Sequence, residues 1–248
     1  MSLHLTLIGI GTGNPEHLTL QAIRAMNRQD LILIPRKGAG KDDLAGLRRD
    51  ICNELLTNDR TRIAEFDLPV RDETTLDYRK QVDDWHDAIA AVWQATVLAH
   101  GGGNRVALLV WGDPSLYDST LRIAARLDPA PEIEVIPGIT SIHALTAAHA
   151  TVLNEIGAPF TVTTGRRLRD EGWPQGADTV VVMLDAGGAF REIDSDGLHI
   201  WWGAYVGMKE QIIVEGPLAE VAERIMQERT QARARHGWIM DIYMLKRV

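Results

Sequence analysis

Short apolar runs that stop abruptly at glycine, proline or a tight polar turn are the feature that most restricts how this chain folds. Residues 4–10, 31–34 and 106–111 are such runs. The first ends in Gly9-Ile10-Gly11, the second at Pro35 and the third at Gly112-Asp113-Pro114. Between them Leu18, Ala22, Ala25 and Met26 recur at helical spacing, as do Tyr78, Val82, Trp85, Ile89 and Val92. Runs this short suit buried strands, and their alternation with amphipathic helices predicts a mostly parallel sheet covered on both faces. Residues 128–132 carry two prolines, Pro129 and Pro131, which interrupt any continuing helix. Beyond them the alternation restarts. Residues 133–136, 160–164, 179–184, 198–206 and 238–245 read as strands, and 139–150 and 218–226 as helices. The expected fold is α/β, in two α/β domains spanning 1–129 and 130–248, the first sheet mainly parallel and the second mixed.

A chain of 248 residues with 45% hydrophobic content has enough apolar side chain to build such cores. No stretch approaches the ~18 apolar residues that span a bilayer. The opening Met-Ser-Leu-His lacks the basic start of a secretory signal. The single Cys52 excludes an intramolecular disulfide and any Cys-rich metal site, so a cytoplasmic protein is expected. Acidic residues outnumber basic ones, 34 to 26, for a formal net charge of -8. That balance argues against nucleic acid or an anionic membrane as partner.

Gly9-Ile10-Gly11-Thr12-Gly13 follows the first run directly and invites a dinucleotide reading. The G-x-G-x-x-G fingerprint fails at Asn14, Pro15 delays the next helix, and Asp30 precedes the second strand rather than ending it. A nicotinamide or flavin loop is therefore disfavoured, leaving a bare tight turn or a ligand loop of another kind. Three further segments share the same design: Trp111-Gly112-Asp113-Pro114-Ser115-Leu116-Tyr117, Pro137-Gly138-Ile139-Thr140-Ser141 and Met183-Leu184-Asp185-Ala186-Gly187. Each follows a strand-like run, and the carboxyl ends of strands are where open α/β sheets hold ligands.

In this order the four loops, with Leu18-Thr19 after the first and Gln211 to Gly216 late in the chain, resemble the tetrapyrrole methylases, the class III S-adenosylmethionine-dependent methyltransferases. The resemblance covers essentially the whole chain. Two positions depart from the usual pattern: Thr12 and Asn14 replace a proline and an aspartate, and Trp111 stands where a glycine is common. The resemblance implies S-adenosyl-L-methionine as methyl donor, in a cleft between the two domains. It implies Thr12, Trp111, Gly112, Asp113, Leu116, Thr140, Ser141, Met183, Leu184 and Val206 as cofactor-binding residues, and a homodimer. Pro35-Arg36-Lys37-Gly38, Asp84-Trp85-His86 and residues 201–209 resemble the member of the aerobic cobalamin pathway that methylates C1 of precorrin-5 and releases its C20 acetyl unit as acetate. Another tetrapyrrole methylase, or a tetrapyrrole-binding module without catalysis, is the alternative.

Methyl transfer to an electron-rich macrocycle carbon needs alignment and water exclusion more than a strong base. No Ser-His-Asp or Cys-His arrangement stands out, and no catalytic residue is assigned. Deacetylation needs an activated water, for which Asp113, Tyr117, a histidine or the substrate's own carboxylates are options. Asp113 has a second reading, as cap of the helix that follows. A polycarboxylate substrate calls for local positive charge. Arg36, Lys37, Lys41, Arg48 and Arg49 form one cluster, and Arg166, Arg167 and Arg169 a second. Arg36, Lys37 and Tyr117 are the expected substrate contacts, with a solvated face as the plain alternative for both clusters. His143 and His149 are six apart, the wrong spacing for a metal pair on one helix face, and no metal is expected. Cys52 reads as packing, one of Trp201 and Trp202 as core, and Arg229, Arg233 and Arg235 as a basic helix end.

Overall fold

Five strands, β1 (His4–Gly9), β2 (Leu31–Arg36), β3 (Arg62–Asp67), β4 (Arg105–Val110) and β5 (Glu132–Ile136), pair in the order β3-β2-β4-β1-β5. Every pairing is parallel. The computed structural model that shows this describes residues 3–36, 43–72, 74 and 77–248. Helices α1 (Leu20–Met26) and α2 (Asp43–Leu55) cover one face, where Ile8, Ile10, Ile32, Ile34 and Leu109 meet Ala22, Met26, Ala45, Ile51 and Cys52. Helices α3 (Tyr78–Ala99) and α4 (Thr120–Ala124) cover the other, where Leu5, Leu7, Leu33 and Leu108 meet Ile89, Trp93, Ile123 and Ala124. Strand side chains alternate between faces, so covering both removes any polar alternation from the central strands. Thr19 starts α1 by accepting from the Ala22 amide, and Asp77 starts α3 by accepting from the Arg79 and Lys80 amides.

The chain divides into two compact units, Met1–Thr140 and Ser141–Val248. Sequence had placed the boundary at 129/130. Residues 132–136 instead pair in parallel with β1, so the run after the two prolines closes the first sheet rather than opening the second. The second sheet holds β6 (Thr161–Thr164), β7 (Thr179–Met183), β8 (Leu198–Ala204), β9 (Ile212–Pro217) and β10 (Asp241–Arg247), ordered β6-β7-β10-β8-β9. β6 and β7 are parallel, and β10 and β9 run antiparallel to their neighbours, the mixed sheet expected. Helices α5 (Ser141–Ala148), α6 (Gly165–Glu171) and α7 (Leu218–His236) complete this unit. Strands β3 and β9 were not read from the sequence. Both lie at sheet edges, and each carries charged or turn residues that break an apolar run. Among the described residues no helix is long and apolar enough to cross a membrane.

A connected polar network lies inside the second unit. Arg229, one of the three arginines of the basic helix end, is buried. It donates from Nε to Asp241 at 2.8 Å and from Nη2 to the Asp185 carbonyl at 2.8 Å. The Trp202 indole donates to the same Asp241 carboxylate at 3.1 Å. Burial pushes the Asp241 carboxyl above its ordinary range, with Arg229 and Trp202 pulling it part of the way back. Trp202 is wholly buried while Trp201 is partly exposed, as a strand pair pointing to opposite faces requires. His149 bonds the Trp202 carbonyl through Nε2 at 3.0 Å, and Cys52 is packed out of solvent. Arg229→Met leaves the Asp241 carboxylate without its cation and is expected to destabilise the second unit by about 3–5 kcal/mol in urea denaturation. Arg229→Met with Asp241→Leu should recover most of that loss. A single variant as stable as the parent contradicts this account of the network.

Candidate functional site

The ends of three neighbouring strands in the first unit are fastened to one another through their backbones. After β1, Gly11 exchanges hydrogen bonds with Gly112, the residue two beyond β4 (Gly11 N to Gly112 O 3.3 Å, Gly112 N to Gly11 O 2.7 Å). After β5, the Gly138 amide donates to Asp113 Oδ2 at 3.0 Å. Side chains have no room at this junction. A Cβ on Gly9 would stand 2.6 Å from the Gly138 nitrogen and 2.8 Å from the Gly112 oxygen. One on Gly138 would overlap the Gly112 carbonyl oxygen. Gly112 itself has φ +61, and a Cβ there would meet only Thr140 Cα, at 3.8 Å. The strand tips therefore meet through main-chain atoms, not side chains.

Asp113 organises this junction. Its Oδ1 accepts from the Ser115 amide at 2.9 Å and the Ser115 hydroxyl at 2.6 Å, while Oδ2 takes the Gly138 amide. Burial raises its carboxyl pKa, but these three bonds outweigh burial and hold it below the ordinary value. A carboxylate so held is a poorer general base. It does not cap α4 either, since the N-cap of that helix is Ser119. Leu116 closes the turn, its amide bonding the Asp113 carbonyl at 3.1 Å. Tyr117 follows with φ 50 and an exposed ring, a left-handed backbone that a tyrosine adopts only under constraint. Thr12 is buried, and its hydroxyl lies 2.8 Å from His17 Nδ1.

The other expected contacts lie in the second unit. Ser141 opens α5. Met183 ends β7, and Leu184 follows with φ 54 and is 65% exposed. Asp185, to which the sequence pattern assigns no role, fixes this bend. It is buried, accepts from the amides of Gly187 (3.0 Å), Gly188 (3.1 Å) and Ala189 (2.7 Å), and takes the Tyr243 hydroxyl at 2.7 Å. Burial, and then the neighbouring Asp185 carboxylate, push the Tyr243 hydroxyl far upward, so it stays a donor. Val206 follows Tyr205, whose φ is 51, and is itself buried over Gly203, where a Cβ would meet Val206 Cγ1 at 2.5 Å. The Gln211 side chain pins that turn by accepting from the Gly207 amide at 2.7 Å, a structural reason for the late Gln-x-x-x-x-Gly segment.

The basic cluster after β2 divides into three kinds of residue. Arg36 is locked to Asp67 through two bonds (3.0 and 3.1 Å) and lies 3.5 Å from Glu65. Arg49 takes Glu65 at 2.7 Å. Both acids sit on β3, the strand missing from the sequence reading, so Arg36 does not stand as an uncompensated cation. Lys37 and Lys41 lie outside the described residues. Arg48 is buried against the sheet, bonding the Leu109 carbonyl at 3.0 Å, with its guanidinium 4.8 Å from the centroid of the Trp111 ring. Burial lowers its pKa to about 10, still protonated at neutral pH, and pushes the Cys52 thiol up to about 12. The spacing Ala45, Arg48, Cys52 on one helix face was the available signal. In the second cluster Arg167 bonds Glu171, and Arg169 bonds Glu192 and lies 3.5 Å from Asp185.

Comparison with known proteins bears on this arrangement. The sequence profile of the Tetrapyrrole (Corrin/Porphyrin) Methylases matches residues 4–222. A precorrin-6A synthase [deacetylating] from Sinorhizobium sp is 48% identical over 98% of this chain and 95% of its own length. A precorrin-2 C(20)-methyltransferase from the same source is 36% identical over 55% of this chain and 54% of its own. Among solved structures, a cobalamin synthesis related protein (CobF) from Corynebacterium diphtheriae superposes with a TM-score of 0.82 at 34% identity, covering 99% of both chains. A uroporphyrin-III C-methyl transferase from Thermus thermophilus, complexed with S-adenosylhomocysteine, shares the fold at a TM-score of 0.60 and 19% identity, covering 98% of this chain and 97% of its own.

Asp113→Ala removes the acceptor of three donors and is expected to lower stability by about 1–3 kcal/mol at neutral pH. Because the folded carboxyl is held below 3.8, this contribution is present above that value and is lost as pH falls through the folded pKa. Urea denaturation from neutral pH into the acid range should show parent and variant converging below about pH 3.8. A constant gap across that range contradicts the assignment.

Proposed function

We infer that this chain, which belongs to the tetrapyrrole (corrin/porphyrin) methylase family, is a precorrin-6A synthase of the deacetylating kind. It transfers a methyl group to C1 of precorrin-5 and releases the C20 acetyl unit as acetate. The near-full-length likeness to precorrin-6A synthase carries the reading, since identity near one half spans both units and leaves no region of either protein unmatched at scale. The chain is a methyltransferase of cobalamin biosynthesis. A cytoplasmic location and a homodimer belong to the same proposal, by resemblance to the family.

S-adenosylmethionine, when bound, supplies an electrophilic methyl on a cationic sulfur. The first unit suits such a ligand at its fused strand tips, where Gly9 and Gly138 let the backbones pack in contact and a Cβ on Gly112 would meet only Thr140 Cα. We assign Thr12, Trp111, Gly112, Asp113, Leu116 and Thr140 to it there. In the second unit Ser141, Met183, Leu184 and Val206 are assigned to it. Backbone carbonyls at strand ends favour a sulfonium without any formal anion. Asp113 then acts chiefly by holding the Gly112 and Gly138 backbones in register. Val206 acts through the backbone of its turn, because its side chain is buried over Gly203. These residues orient the reactants and exclude water, which is where most of the rate enhancement of an in-line transfer arises. Tyr117, exposed and held at positive φ beside that junction, is proposed to contact the macrocycle. Arg36 and Lys37 are proposed to draw the polyanionic substrate at longer range, Arg36 with its charge offset by Asp67 and Glu65.

Incubating the purified chain with precorrin-5 and S-adenosylmethionine tests the reading. The expected product has gained a methyl and lost an acetyl group, with one free acetate per turnover detected by NMR. A methylated product that keeps the acetyl group would move the assignment to a different tetrapyrrole methylase. Turnover of no tetrapyrrole would remove the catalytic reading altogether.

A further inference from the structure

Strands β2 and β4 part company before they end. Their pairing stops at Leu33↔Leu108, while β2 runs on beside β3 to Arg36 and β4 runs on beside β1 to Val110. The connection after β2 passes through α2 on one face, and the connection after β4 passes through α4 on the other. Adjacent strands whose connections leave to opposite faces open a crevice at their carboxyl ends, the place where open α/β sheets take ligands. The Val110 carbonyl bonds the Ile10 amide on the β1 side, so the preceding carbonyl, Leu109, faces the β2 side, where pairing has already stopped. Arg48 Nε fills that vacant position at 3.0 Å.

Among the described residues no carboxylate pairs with the guanidinium this places in the crevice. Arg48 is 8% exposed, and its other bond is a long one, Nη1 to the Leu44 carbonyl at 3.4 Å. Among the described residues it forms no ion pair and Nη2 makes no hydrogen bond, and Asp118 acts on it only at longer range. Its helix neighbour Arg49, and Arg36 beside it, both have carboxylates from β3. The ring that Arg48 stacks on brings a second unmet donor, since Trp111 Nε1 is buried without a hydrogen-bond partner. A buried cation without a paired carboxylate and a buried N–H with no acceptor are each unfavourable alone, and a carboxylate is the group that satisfies either. We propose that Arg48 and the Trp111 indole N–H form a carboxylate-receiving subsite at the β2/β4 crevice of the first unit.

This rests on the tetrapyrrole reading above, which offers three sources of that chemistry: a side-chain carboxylate of the macrocycle, the acetate released from it, or the amino-acid carboxylate of the methyl donor to which Trp111 is assigned. Planar guanidinium and carboxylate match as a two-bond fork, which favours arginine over lysine here.

Uroporphyrin III, a stable tetrapyrrole polycarboxylate, and sodium acetate serve as separate probes on the full chain. Arg48→Met is expected to weaken uroporphyrin III binding about tenfold or more. Trp111→Phe keeps a ring under the guanidinium, removes only the N–H, and should weaken it about threefold. It remains readable if Arg48→Met does not fold. In the wild type, acetate but not equimolar chloride should shift the Trp111 indole N–H resonance if free acetate is a ligand. Lost uroporphyrin affinity without that shift makes the macrocycle carboxylate the source. Calorimetric titration of S-adenosylhomocysteine into the wild type and Arg48→Met identifies the third source, since affinity lost only in the variant makes the donor's carboxylate the ligand. Wild-type uroporphyrin and S-adenosylhomocysteine affinity in the folded variants, together with no acetate response, overturns the proposal. Failure of S-adenosylhomocysteine to bind the wild type, beside a lost uroporphyrin affinity in the variants, would sink the methyltransferase reading and leave the subsite standing.

Discussion

Close backbone approach among Gly9, Gly112 and Gly138 is the constraint on which the proposed site in the first unit depends. A parallel sheet spaces its strands by the hydrogen-bond ladder, about 4.8 Å apart. Beyond the last paired residues that spacing is no longer imposed, and loops ordinarily diverge. Here they converge, because the Gly11 and Gly112 amides and carbonyls bridge two tips and the Asp113 carboxylate bridges to the third. Removing Cβ atoms makes this geometrically possible, and the aspartate makes it stable. The consequence is a surface of oriented carbonyl and amide dipoles whose positions are fixed before any ligand arrives. Preorganised dipoles of that kind need no rearrangement at the moment of reaction.

The second unit reaches a similar end by different means. Its loop after β7 is set by a buried carboxylate, Asp185, that spends its oxygens on three amides and the Tyr243 hydroxyl. Gly165 is obligatory beside it, since a Cβ there would collide with the Asp185 side chain. Through its own carbonyl Asp185 joins Arg229, and through Arg229 it joins Asp241 and Trp202. The left-handed Leu184 thus rests on a chain of buried polar contacts reaching into the middle of the sheet. Fully satisfied networks rigidify what they touch, and the exposed Leu184 side chain is the part left available.

Central strands were legible in the sequence because burial on both faces erases polar alternation, as in residues 4–10 and 106–111. The mixed second sheet and the turn glycines followed from the same signals. Edge strands β3 and β9 were not legible, since a strand covered on fewer sides tolerates Glu65, Asp67, Glu215 and Pro217. That omission had a chemical consequence. Asp67 pairs with Arg36 across 31 residues and Glu65 takes Arg49, so two cations of the basic cluster are offset by a strand that local patterns did not reveal. Arg48 and Arg49 are adjacent in sequence and opposite in fate, because one shares a helix face with Ala45 and Cys52 and the other does not. The roles of Asp185, Tyr243 and Asp241 depend on contacts between elements far apart in the chain, which local patterns do not encode.

Hydrogen–deuterium exchange with and without saturating S-adenosylhomocysteine tests the central claim most directly. The account predicts slowed exchange at residues 10–14, 111–117 and 137–140, where backbone groups at three strand tips would grip the donor. Exchange in those segments that ligand leaves unchanged, with protection appearing only elsewhere in the chain, would contradict it.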